Sequence, residues 1–99
     1  MAKEIIEPYR SRAVVWREMF LFPTDVALEF LKDCEQKDIR ILGCDVFDMP
    51  VGDTIRSRFD DGLDVSTKEY WDYSVVELCS LVRDHILSKK DKLFEFTLS

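Results

Sequence analysis

The chain has 99 residues, 46% of them apolar and 34% charged, with three glycines and three prolines. That is enough for one domain with one shared core (residues 1–99) and too little for a second core, a long linker or a large cofactor cavity. The net charge of −6 is carried by residues 43–77, which hold 9 acidic and 3 basic side chains; such a field repels phosphate backbones and anionic lipid, so no nucleic acid and no membrane is expected as a partner, and a basic protein is favoured.

Residues 1–8 mix charges with isoleucines and build no apolar leader, and no later stretch approaches the length of a membrane span. The chain therefore reads as soluble and cytoplasmic. Residues 13–16 and 19–22 are short, apolar and partly β-branched; at least one is expected to be a strand, although periodicity also admits a helical turn between them. Pro23-Thr24-Asp25 opens a first helix, whose stripe Val26, Ala27, Phe30, Leu31 and Cys34 is apolar and which should end near Lys37 or Asp38. Residues 39–47 are nearly continuously apolar and β-branched, as a central strand would be, with Gly43 marking a bulge or a close backbone approach. A turn at 49–53 leads into 54–59, which alternates like the return strand of a hairpin with Ile55 and Phe59 inward.

Asp60, Asp61 and Asp64 form a tight acidic loop. Ser66-Thr67-Lys68-Glu69 has the S-x-x-E form of a capping box, which predicts a long second helix from there. Trp71, Val75, Leu78, Cys79, Val82 and Ile86 supply its buried stripe, Trp71 starting it, and the helix should stop among Ser88, Lys89 and Lys90. Phe94, Phe96 and Leu98 alternate with polar residues, as in a half-buried strand. The fold class expected is α+β: a small, mostly antiparallel sheet of about four strands with two helices packed on one face.

Few residues point to chemistry. Cys34, Cys44 and Cys79 are odd in number, widely spaced and set among apolar neighbours, so they read as reduced core residues. His85 is the single histidine and has no Cys or Ser at a catalytic spacing, so it reads as a structural or surface residue. Asp45 is costly inside an apolar strand. It is either an acid or metal ligand working with Asp48, or a group that accepts bonds from a turn or pairs with Arg56 or Arg58 on the neighbouring strand. An enzyme built on Asp45, Asp48 and His85 is the weakest reading, because no pair has a spacing that predicts convergence. Gly62 comes too early in the acidic loop for a calcium site, and the isolated glycines make no phosphate loop, so neither metal nor cofactor is expected. Tyr70 and Tyr73, beside Asp60, Asp61, Asp64 and Asp72, make either a contact surface for a basic partner or the packed edge of a helix.

The stretch Ile41-Leu42-Gly43-Cys44-Asp45-Val46-Phe47, preceded by Ala27-Leu28-Glu29-Phe30-Leu31-Lys32, resembles the immunity protein 40 family of bacterial polymorphic toxin systems. Trp16, Gly52, Phe59-Asp60, the late helix and Leu93-Phe94-Glu95-Phe96 follow in the family's order, so the resemblance runs from about residue 16 to residue 98. Cys44 replaces the family's second glycine, Phe47 its tyrosine, and Gly62 or Leu63 stands where an aromatic is expected after Asp60. The resemblance implies a non-catalytic cytoplasmic protein that neutralises a cognate toxin by binding it, with Gly43 and Asp45 as structural motif positions. Asp60, Asp61, Asp64, Tyr70, Asp72 and Tyr73 would then form the surface for a basic toxin domain. A small regulatory or adaptor domain that binds another protein or a small ligand is the alternative.

Overall fold

The computed structural model describes residues 2–89 and 91–99, with the backbone alone for Ala2, Lys3 and Phe59. In chain order these residues form α1 (Ala2–Ile6), a 3-10 segment (Glu7–Arg12), β1 (Val14–Trp16), β2 (Met19–Leu21), α2 (Thr24–Gln36), β3 (Ile41–Phe47), β4 (Leu63–Asp64), α3 (Val75–Ser88) and β5 (Leu93–Leu98). Single 3-10 turns lie at Phe59–Asp61 and Lys68–Tyr70.

All pairings are antiparallel. β1 and β2 form a hairpin in the register Val14↔Leu21 to Trp16↔Met19, and β4, β3 and β5 form a three-stranded sheet with β3 central. One bridge joins the two sheets: the amides of Phe22 and Phe94 each donate to the other's carbonyl, at 2.7 and 2.9 Å. The strands thus follow one another as β1-β2-β5-β3-β4. Both apolar stretches before α2 are strands, and the α+β class with helices on one face holds.

Strand alternation separates two cores. Cys44 and Val46 of β3 stand opposite Phe96 and Phe94 of β5 and face the helices, where they meet Phe30, Leu31 and Cys34 of α2 and Cys79, Val82 and Ile86 of α3. Tyr9, Phe22, Phe30 and Phe96 form the aromatic centre of this layer, with adjacent rings 5.0–5.9 Å apart. Phe47, opposite Leu93, points to the other face and joins Leu21 and Ile55 in a smaller cluster closed by Val14, Trp16 and Met19. Ile55 is inward as expected, whereas the side chain of Phe59 lies outside the described residues, as does Lys90 beyond α3. All three cysteines are free and buried, and burial pushes the Cys34 and Cys44 thiols up to about 12.

Three local expectations are corrected. Residues 54–59 form no regular strand. They touch the end of β3 only through isolated contacts, with the Asp48 amide donating to the Arg56 carbonyl at 2.8 Å and the Arg58 amide to the Val46 carbonyl at 2.7 Å. Among the described side chains of that segment Ile55 alone is buried, and Thr54, Arg56, Ser57 and Arg58 offer no apolar face with which to hold an edge. The edge goes to β4, because Leu63 packs on the helix-side core and Val65 is fully buried.

The second helix starts at Ser74 and not at Ser66. The chain contains two S-x-x-E stretches, and the box closes at the second: Ser74 Oγ accepts the Glu77 amide at 3.1 Å and Glu77 Oε1 accepts the Ser74 amide at 3.0 Å. Ser66 is engaged by Asp64, whose Oδ1 accepts both its amide and its hydroxyl. Ser74→Ala should therefore cost about 1 kcal/mol. Thermal melts should place it roughly 4–8 °C below wild type, while Ser66→Ala leaves the helical signal intact.

The third correction follows from the second. Trp71 precedes the helix and is 65% exposed, so it is not the first buried residue of the stripe.

Candidate functional site: an acidic half of the open sheet face

The face of the sheet turned away from the helices divides in two. Near Phe47 and Leu93 it is covered by the smaller core; beyond them, Asp45, Glu95, Gly43, Thr97 and Asp64 follow. The register sets this arrangement. Asp45 is directly opposite Glu95, and Gly43 lies between Thr97 on β5 and Asp64 on β4. Because Gly43 has no side chain, the floor there is open, and a groove of about 410 Å³ forms, lined by Leu42, Gly43, Asp45, Gly62, Leu63, Asp64, Ser66 and Thr97. A Cβ on Gly43 would lie 3.3 Å from the Leu63 carbonyl oxygen, and the register shifts between Ile41 and Gly43. Bulge and close approach, both read as possibilities for this glycine, are present together.

Asp45 does not pair with Arg56 or Arg58. Arg58 faces Asp48 at 3.7 Å and Asp61 at 3.6 Å, and Asp45 stays exposed with no ion pair among the described residues. Like charges directly opposite each other destabilise a strand pair. The effect falls on Glu95, whose carboxyl is raised by its partial burial and then by the Asp45 charge. A raised carboxyl means that ionised Glu95 costs more in the folded than in the unfolded chain; the cost applies in full above the folded pKa, shrinks as pH falls through it and is gone below the unfolded value. Glu95→Gln should therefore melt a few degrees above wild type at neutral pH, with the difference vanishing in acid, as a melting series against pH would record.

Asp48 and Asp61, by contrast, are compensated. Asp48 is bonded to Lys92 at 2.7 Å, which together with Arg58 holds its carboxyl below the ordinary range. Asp61 lies between Lys89 at 3.4 Å and Arg58 at 3.6 Å. His85 Nε2 contacts the Asp61 carbonyl oxygen and ties α3 to the acidic turn, a structural role. Among the described residues no three His, Cys, Asp or Glu side chains are placed to share a cation.

The six residues read as a partner surface do not form one cluster. Asp60 and Asp61 lie at the C-terminal end of α3, near His85 and Lys89, whereas Tyr70, Asp72 and Tyr73 lie before its N-terminus. A helix of 14 residues separates the two groups, a span of about 20 Å. Asp64 belongs with the second group through Ser66, whose carbonyl accepts the Trp71 indole N–H at 3.2 Å. The half-buried tyrosines meet edge to face, 5.3 Å apart. Arg40, at the entry to β3, fixes the turn by donating to the carbonyls of Tyr73 at 2.8 Å and Tyr70 at 2.7 Å.

Sequence reasoning missed three participants. Glu95 is identified by register alone, since no local pattern says what stands opposite Asp45. Arg40 binds carbonyls 30 and 33 residues away, which leaves no local trace. Trp71 was hidden because its spacing to Val75 continues the helical period. Compared with protein-family models, curated proteins and solved structures, the chain has no match.

Proposed function

We propose that the chain is a non-catalytic, cytoplasmic immunity-type protein that neutralises a cognate bacterial toxin by covering a basic region of it. One observation carries this reading: Asp45, exposed, and Glu95, half-buried, stand opposite each other on the open half of the sheet face with no cation bonded to either among the described residues. Such a pair destabilises the isolated chain, and an outside cation offsets that cost. Many toxin domains act on nucleic acid and carry basic surfaces, so an acidic inhibitor gains both steering and complementarity. Gly43 and Asp45, the positions shared with the immunity protein 40 pattern, both line the groove, and this supports the same reading.

The test is co-expression with the product of the adjacent gene, scored by growth. Protection by wild type that weakens in an Asp45→Asn, Glu95→Gln double variant supports the proposal. No toxic neighbour, with a metabolic enzyme co-purifying instead, overturns it in favour of a regulatory or adaptor domain.

A further inference from the structure

Trp71 combines exposure with a hydrogen-bonded indole. Its ring is 65% exposed, yet its indole N–H is held by the Ser66 carbonyl at 3.2 Å and its amide by the Lys68 carbonyl at 3.3 Å. Its own carbonyl lies 3.5 Å from an Arg40 guanidinium nitrogen that also binds Tyr70. Ser66 is itself fixed by Asp64. An exposed tryptophan with its polar end already satisfied presents a large apolar surface at little cost in side-chain entropy, which is the character of an interface anchor.

The surroundings define the occupant. Asp64 and Asp45 line the groove that begins at Ser66, Glu95 stands opposite Asp45, and Asp72 and Glu69 flank Trp71 in the chain. Against these five carboxylates stand Lys68 and Arg40, the latter bonded to backbone carbonyls. A guanidinium gains on both counts, stacking on the indole and pairing with the carboxylates. Nucleic acid is repelled by this field, and a second copy of a chain with net charge −6 brings the same sign.

We propose that Trp71 anchors an arginine-bearing segment of a partner protein, which runs from the indole into the groove floored by Gly43. This deepens the immunity reading and rests on it only for the partner's being a basic protein.

The test needs no toxin: hexa-arginine peptide is titrated into the full chain labelled with ¹⁵N. The Trp71 indole N–H and the amides of Gly43, Gly62 and Thr97 should shift together and saturably, with the Trp16 indole as an unmoved internal reference. Trp71→Ala should weaken the peptide at least tenfold while leaving the rest of the spectrum dispersed, and Trp71→Phe should recover part of the loss. Unchanged affinity in Trp71→Ala, shifts centred on Asp60 and Asp61, no saturable binding, or an equal response to hexa-glutamate or a single-stranded oligonucleotide would each overturn the inference. Peptide docking at Trp71 without protection of cells refutes the toxin reading alone.

Discussion

Phe30→Ala is expected to cost the fold about 3–5 kcal/mol, a large share of its stability. Phe30 is fully buried where α2 meets the sheet, with its ring 5.4 Å from Tyr9, 5.1 Å from Phe22 and 5.0 Å from Phe96. Truncating a buried phenylalanine costs about 3–5 kcal/mol, against a total of roughly 5–15 kcal/mol for a domain of ordinary stability. A thermal melt should show a loss of at least about 12 °C, and Phe30→Leu, which retains much of the volume, should lose much less. The effect spreads because Tyr9, which joins the N-terminal segment to this cluster, donates its hydroxyl to Asp33 on α2 at 3.2 Å. Removing Phe30 therefore loosens the attachment of α2 and of the N-terminal segment together.

Arg40→Ala should have the second largest effect, through backbone groups and not through charge pairing. One guanidinium satisfies the carbonyls of Tyr73 and Tyr70 and approaches that of Trp71, holding the turn between β4 and α3. Hydrogen bonds from a charged donor contribute about 1.5–3 kcal/mol each, and sharing among them brings the expected loss to about 2 kcal/mol, a fall in melting temperature of roughly 8–16 °C. Arg40→Lys should not restore the wild-type value, because an ammonium cannot reproduce the planar fork that spans two carbonyls. The Trp71 indole resonance should also broaden or move in Arg40→Ala, since the turn that presents it is no longer held.

The elements with strong local patterns were legible in the sequence. The α2 stripe from Val26 to Cys34, the near-continuous apolar run of β3 and the alternation of β5 each match burial in the structure. What failed depended on competition between equivalent local signals. Ser66 and Ser74 both begin an S-x-x-E stretch, and the choice between them was made by Asp64 and Arg40, which engage residues 66–73 in a turn. Leu63-Asp64-Val65 took the edge of β3 from residues 54–59 because it places Leu63 and Val65 on the core, whereas Ile55 is the one buried side chain among those described in the longer segment.

The candidate site was half legible for the same reason. Asp45 was conspicuous as a carboxylate inside an apolar run, and the acidic segment was visible as charge. Their arrangement was not, because Glu95 reaches Asp45 through strand register across 50 residues, and Asp60 is separated from Tyr73 by the length of α3. Only the folded sheet shows that Asp45 and Glu95 stand without a cation on its open half while Asp48 and Asp61 are held by Lys92, Lys89 and Arg58.

Whether this open half binds a basic protein is decided by a pull-down from the native host followed by titration of affinity against salt. Wild type and the Asp45→Asn, Glu95→Gln double variant are run in parallel, with the melting temperature of each recorded. The expected result is a stoichiometric complex with a basic protein, weakening as salt rises, and a variant that melts higher yet binds at least tenfold more weakly. A partner captured equally well by both chains, with affinity indifferent to salt, would rule out binding through this face.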